Sequence, residues 1–417
     1  MGMKIAIVGA GISGLTCAYL LQNGHDLTVF EAEPQAGGHS NTVTVDEPAG
    51  PIGIDTGFIV YNDRNYPNFE RLLAQLGVAT QPSSMSFAVT HESENFEFGG
   101  GSPNALFACR KHLVDRHFYR MVVDLMRFNH DAHKALKRGI GSDVTLGRFL
   151  ADHNYSQLLI DRLITPQVSA VWSADPSQTL QFPASFMFQF FANHGMLGLR
   201  NRPNWRTITG GSRNSVDKLI EQLGARVQLG VPVASITRRD GQIELVPGSG
   251  AAERFDHVIM ATHSDQALKL LADRSALESE ILGDMPFQTN EAVLHTDSTL
   301  LPRHHAARSS WNFHILDQPK PRTTVTYWMN NLQNLQTQTD YMVTLNRGEA
   351  IDPAKVIAKF EYAHPVITPQ SVAAQQRFGE ISGVGQTHFC GAYWRWGFHE
   401  DGVVSALRAC EKFGVTL

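Results

Sequence analysis

"KIAIVGAGISGLTCAYLLQNGHDLTVFEAE", residues 4–33, reads as a strand, a glycine turn, a helix and a second strand. Ile5–Val8 and Leu27–Glu31 are short apolar runs, and between them apolar residues recur at helical spacing from about Ser13 to Asn23. This is the βαβ opening of a dinucleotide-binding α/β fold. Gly9 permits the tight turn, Gly11 lets the backbone approach a pyrophosphate, and Gly14 lets helix and strand pack closely. The helix N-terminus at Ser13 then faces the anion. Glu31, seventeen residues after Gly14, stands where a carboxylate accepts hydrogen bonds from the adenosine ribose. One lysine followed by an apolar run imitates a secretory signal, but the cofactor spacing of its glycines argues against that.

A chain of 417 residues is too long for one ordinary core and suggests two lobes. With 42% hydrophobic and 18% charged residues and a net charge of −5, neither disorder nor nucleic-acid binding is expected. Cys17, Cys109, Cys390 and Cys410 lack metal-ligand spacing, so no metal site is expected, and so few cysteines point to a reducing cytoplasm. No apolar run is long enough to span a bilayer, which predicts a soluble or peripheral protein. His399-Glu400 has no second histidine at Val403, and neither a nucleophile elbow nor a Walker lysine pattern occurs.

Five later stretches narrow the cofactor. "EAEPQAGGHSNT" (31–42) places Gly37-Gly38 after a five-residue gap from Glu31, an extension that nicotinamide enzymes do not need. "IDTGFIVYN" (54–62) holds Asp55, Thr56 and Gly57. "GGSRNSVDKLIEQLGARVQLGVPVASITRRDG" (210–241) reads as a helix and strands around Val227 and from Val233 to Arg238, and "FDHVIMATHSDQALKLL" (255–271) as a strand into a helix. "THFCGAYWRWGFHEDGVVSALRACEKFG" (387–414) reads as a strand, an aromatic turn and a helix from about Gly402 to Phe413. With "VLHTDSTLLPRHHAARSSWNFHI" (293–315), "VTYWMNNLQNL" (325–335) and "YMVTLNRG" (341–348), the whole chain resembles one bacterial branch of the phytoene desaturase and amine oxidase superfamily. That branch is commonly encoded beside cyclopropane-fatty-acid synthases and is linked to modification of fatty acyl chains, including furan fatty acid formation.

The resemblance implies FAD, held in a glutathione reductase-like Rossmann domain of the amine oxidase type with an interleaved α+β substrate domain. It implies that Gly37, Gly38, His39 and Ser40 pass the pyrophosphate, with His39 in place of the usual arginine. Asp55, Thr56 and Gly57 would lie near the flavin, and Val233 would hold the adenine through its backbone. Gly391, Asp401, Gly402 and Val403 would bring the last helix N-terminus to the pyrimidine edge of the ring. Trp394, Trp396 and Phe398 would sit by the flavin. Amine oxidases usually place a lysine near N5, but "FQTNEAVLHTD" (287–297) offers Asn290 and Glu291, so simple amine oxidation loses support. No cysteine matches the covalent flavin attachment of some relatives, so the FAD is expected to be non-covalent.

The expected division is an FAD-binding domain at 1–75, 205–271 and 375–417, and a substrate domain at 76–204 and 272–374. "FPASFMFQFFANHGML" (182–197) has Phe186, Met187, Phe188, Phe190 and Phe191 to line an apolar channel, or equally to fill core. Arg110–Arg138 reads as a basic helix that could dock peripherally on anionic headgroups at the inner membrane face, although a solvated face is the simpler reading. The expected activity is hydride removal from an apolar small molecule or lipid, best an unsaturated or methyl-branched acyl chain. Trp394, Trp396 or Tyr327 would stabilise developing positive charge. His399 and Glu400 are candidate proton acceptors, or else helix caps. Oxidation of an amine or polyene, and a flavoprotein that binds without turnover, are the alternatives. Oligomeric state is not read from the sequence.

Overall fold

A computed structural model describes residues 2–141, 143–198 and 202–417. Its first layer is a five-stranded parallel sheet drawn from widely separated parts of the chain. In spatial order the strands are Val227–Gln228, Asp26–Phe30, Lys4–Val8, His257–Met260 and Thr387–Phe389. The first βαβ unit forms as the glycine spacing predicts, with its helix at Ile12–Leu21. Near-continuous apolar strands suit a parallel sheet buried on both faces, and Ile5, Ile7, Val29 and Ile259 are fully buried here. A three-stranded antiparallel sheet, Val233–Arg239, Gln242–Pro247 and Glu253–Phe255, precedes the returning strand at His257.

The second large layer is a seven-stranded sheet in the order Val356–Pro365, Phe287–His295, Met342–Leu345, Val325–Trp328, Trp311–Ile315, Phe87–His91 and Glu97–Gly99. It is antiparallel except where Trp311–Ile315 runs parallel to Phe87–His91. Helices Arg116–Arg138, Leu146–Asp152, Thr165–Trp172 and Ala184–Asn193 share its largest apolar cluster. A file of buried polar side chains also crosses five of its strands. His295 Nε2 meets Thr344 Oγ1 at 2.7 Å, Thr344 meets Thr326 at 2.8 Å, Thr326 meets His314 Nε2 at 2.8 Å, and His314 Nδ1 meets Thr90 Oγ1 at 3.2 Å. Burial holds His295 down at about 4 and His314 at about 3, so both rings are neutral links at neutral pH.

Two expected boundaries move. The basic segment is a short 3-10 turn at Arg110–Val114, and a helix that starts only at Arg116, where Asp115 caps it by accepting from His117 N at 2.8 Å. The last helix begins at His399, not near Gly402. Among the described residues no helix is long and apolar enough to cross a membrane.

Candidate functional site

The two sheets flank a cavity of about 2210 Å³ that reaches from the first βαβ turn into the aromatic cluster of the second layer. At its cofactor end the strand Lys4–Val8 stops at Gly9, whose φ of +104° disfavours any side chain. A Cβ on Gly14 would collide with the Gly9 carbonyl oxygen, so the turn can close only with glycine there. Gly11 is different. It has an ordinary φ of −76°, and a Cβ on it would meet no atom within 4 Å, because it faces the cavity. Glu31 ties the turn together, with Oε2 accepting from Ala10 N at 2.7 Å and Oε1 from Glu33 N at 3.0 Å, and it still lines the cavity. Each carboxylate oxygen keeps a lone pair for a ribose hydroxyl.

Gly37 N donates to Ala10 O at 2.8 Å, which brings the Gly37–Ser40 turn against the first glycine turn. Ser13, Gly37, Gly38, His39, Ser40, Gly57, Val233 and Gly391 all line the cavity. Among the described residues His39 Nε2 is buried without a hydrogen-bond partner, and burial, with His364, His263 and His399 nearby, presses its imidazole well below the ordinary range. An unpartnered polar nitrogen, an open glycine and an anchored carboxylate on one wall fit the phosphates and ribose of FAD. Among the described residues no grouping could hold a metal ion.

Several expected site residues do not reach this cavity. Asp55 lies behind its wall, accepting from Thr42 Oγ1 at 2.6 Å and from Ser212 N at 2.7 Å, and burial raises it to about 7. Thr56 is also behind, but its hydroxyl meets Tyr362 OH at 2.7 Å, and Tyr362 does line the cavity. Because the last helix starts at His399, its first acids turn inward. Glu400 accepts from Asn68 Nδ2 at 2.7 Å and Phe69 N at 2.9 Å, which caps the helix Pro67–Gln75 and excludes it as the cavity's proton acceptor. Asp401 accepts from Phe398 N at 2.9 Å and is raised to about 7 by burial. Gly402 permits close packing on Ile12 and Ser13, and the Val403 side chain is core. Trp394 packs edge-on against Phe378, with ring centroids 4.9 Å apart, in a different apolar cluster. The 3-10 turn Ala392–Trp394 sends its side chain away from the cavity.

His399 faces the cavity, with Nε2 2.8 Å from Ser40 Oγ and its ring stacked on Phe58 at 3.5 Å. Burial holds it at about 3, which makes it a neutral partner and a poor base. At the deep end Trp396, Phe398 and Tyr327 all line the wall. Phe398 stacks on Phe190 at 5.1 Å, Tyr327 meets Trp311 edge-on at 5.0 Å, and Trp172 Nε1 donates to Trp396 O at 3.1 Å. The helix Ala184–Asn193 divides between the two alternative readings: Phe190 lines the cavity, while Met187, Phe188 and Phe191 fill core and Phe186 packs against it.

A cavity-facing imidazole cluster was not visible in the sequence. His39 lies 5.3 Å from His364, 6.4 Å from His263 and 5.0 Å from the Tyr362 ring. Asn290 Nδ2 is 2.9 Å from His364 Nδ1, so the residue standing in place of the expected lysine orients an imidazole instead. Burial lowers His364 to about 4. No spacing links positions 39, 263, 290 and 364, and only the fold assembles them.

The model of the flavin containing amine oxidoreductase family matches residues 12–281. Mitochondrial protoporphyrinogen oxidase of Nicotiana tabacum is 26% identical over 180 residues, which covers 42% of this chain and 33% of that protein. An L-amino-acid oxidase of Bothrops jararacussu is 55% identical over 40 residues, 9% of this chain and 8% of its own. The chain thus matches a third or less of the length of these curated relatives. Among solved structures, cyclohexylamine oxidase from Brevibacterium oxydans superposes with a TM-score of 0.68 at 18% identity, over 99% of this chain and 100% of the other. A CLA-producing fatty acid isomerase from P. acnes gives 0.70 at 14% identity, over 99% and 98%. Both likenesses are likenesses of fold.

Proposed function

The chain belongs to the flavin containing amine oxidoreductase family, and from that premise we propose that it is an FAD-dependent oxidoreductase that dehydrogenates an apolar substrate, best an unsaturated or methyl-branched acyl chain. The observation that carries this reading is the deep end of the cavity, where Trp172, Phe190, Trp311, Tyr327, Trp396 and Phe398 converge. Bound flavin supplies a two-electron acceptor for a hydride. The aromatic wall orients a chain without polar handles, excludes water, and turns ring faces toward a carbon that becomes electron-poor as an allylic C–H bond breaks. The substrate gains a double bond and releases a proton. Glu400 is out of reach, and burial lowers the imidazoles that line the cavity, His39, His194, His263, His364 and His399, so the proton leaves to water at the mouth of the cavity. None of the four cysteines lines the cavity, so FAD finds no thiol there to form a thioether with.

Oxidation of an apolar amine is the second reading, supported by the family and by the paired rings of Phe190 and Phe398. Anaerobic mixing with phospholipids rich in unsaturated and methyl-branched chains, and separately with alkyl and aryl amines, distinguishes the two. Bleaching of the flavin absorbance by lipid and not by amines is the expected outcome. Bleaching by amines alone would replace the acyl-chain reading.

A further inference from the structure

Of the nine large apolar side chains that stand exposed among the described residues, five lie in one stretch: Leu113, Val114, Tyr119, Val123 and Met126. Val114 is 88% exposed and Met126 57%. Tyr119, Val123 and Met126 recur at steps of four and three, so they form one stripe along the helix Arg116–Arg138. Tyr119 OH donates to Leu113 O at 3.2 Å and joins the preceding turn to that stripe.

The charge around the stripe is net positive, since Lys and Arg outnumber Asp between Arg110 and Arg138, and the three acids all have partners within the protein. Asp115 caps the helix, buried Asp124 pairs with Arg127 at 2.6 Å and Arg120 at 3.5 Å, and Asp131 accepts from Tyr155 OH at 2.7 Å. Arg120 and Arg127 are exposed but share Asp124, while exposed Lys111, Arg116 and Lys134 form no ion pair among the described residues. Apolar side chains rimmed by cations match the acyl boundary and anionic headgroups of a bilayer, and each basic residue near such a surface is worth roughly fivefold in partitioning. The same helix walls the cavity from within through Leu125 and Asn129, and Leu106 just before it does so too.

We infer that the face formed by Leu113, Val114 and the Tyr119–Val123–Met126 stripe docks the protein on an anionic phospholipid bilayer. This docking concerns the interface and stands or falls apart from the acyl-chain chemistry.

The test sediments the flavin-loaded protein with vesicles of equal phosphatidylglycerol and phosphatidylcholine, and with phosphatidylcholine alone. The protein should follow the anionic vesicles, and high salt should weaken its binding. Val114→Asp/Met126→Asp and Lys111→Glu/Arg116→Glu should each bind at least tenfold less, with unchanged melting temperature and flavin spectrum. Failure to bind anionic vesicles at low salt, or variants that bind as well as the parent, would overturn the inference. A lipid-free dimer dissolved by Val114→Asp/Met126→Asp would overturn it too, by giving the face to a second copy. Docking with no bleaching by lipid would leave the inference standing and sink only the acyl-chain reading.

Discussion

His399 Nε2 lies 2.8 Å from Ser40 Oγ, which joins residues 359 positions apart across the cofactor end of the cavity. His399→Ala removes that bond and the stack on Phe58, so both sides of the cradle loosen. FAD titrated into the apoprotein should bind about tenfold or more weakly, on the scale of one buried hydrogen bond of ~1.5 kcal/mol. Unaltered FAD affinity would remove this pair from cofactor binding.

Glu400, the next residue, should behave in the opposite way. Glu400→Ala leaves Asn68 and Phe69 amides of the helix Pro67–Gln75 unpaired, costing on the order of 1–3 kcal/mol. The melting temperature should fall while substrate-driven flavin reduction keeps its rate. A slowed reduction in a protein of unchanged stability would contradict this placement.

Gly11 and Gly14 separate cofactor space from packing space. Gly11→Ala has backbone geometry that alanine accepts and meets nothing in the apoprotein, so the fold should survive while FAD binding fails. Gly14→Ala collides with the Gly9 carbonyl oxygen, so it should destabilise the apoprotein itself. Circular dichroism melts of both apoproteins, beside flavin content after reconstitution, check the contrast.

Trp394 and Trp396 should part in the same way. Trp394→Ala opens a buried cavity in an apolar cluster and should cost roughly 3–5 kcal/mol of stability. Trp396→Ala alters the cavity wall, so its main effect should be on the concentration of substrate needed to bleach the flavin. Stopped-flow titrations and thermal melts of the two variants give the comparison.

Acid should weaken the fold through its buried imidazoles. His295, His364 and His388 are lowered to about 4, and His314 and His399 to about 3, so below pH 6.5 the unfolded chain binds protons that the native one refuses. Their contribution is complete above the unfolded value and is lost as pH falls from about 6.5 toward 4. Asp55 and Asp401, raised to about 7, work the other way, because the native state takes their protons first. These imidazoles, joined by His112 and His194 at about 4, outnumber the two carboxylates, so the melting temperature should drop between pH 7 and pH 5. Asp55→Asn should steepen the drop, and a flat profile would refute the neutral-imidazole description.

The parallel sheet and its first glycine turn were legible because their signals are local: Gly9, Gly11 and Gly14 and two apolar runs sit within one βαβ unit. The last element was legible in kind but not in phase. Placing its helix start near Gly402 aimed Glu400 and Asp401 at the cofactor, whereas the true start at His399 turns them onto the helix Pro67–Gln75 and the Phe398 amide. Trp394 and Trp396, two residues apart, looked equivalent until a 3-10 turn separated them. The His39–His263–His364 group and the Thr–His file across five strands had no sequence signature, since each joins residues that only tertiary pairing brings together.

The strand Thr387–Phe389 forms one edge of the parallel sheet, and Gly391, Phe398 and His399 just beyond it line the cavity that begins at Gly9. During synthesis, then, the first βαβ unit must wait for the distant segment from Thr387 to His399 to leave the ribosome before its sheet edge and cofactor cradle are complete. Until that moment the nascent protein has no finished place for flavin, and a ribosome stalled before Thr387 would carry a chain that the cofactor cannot stabilise.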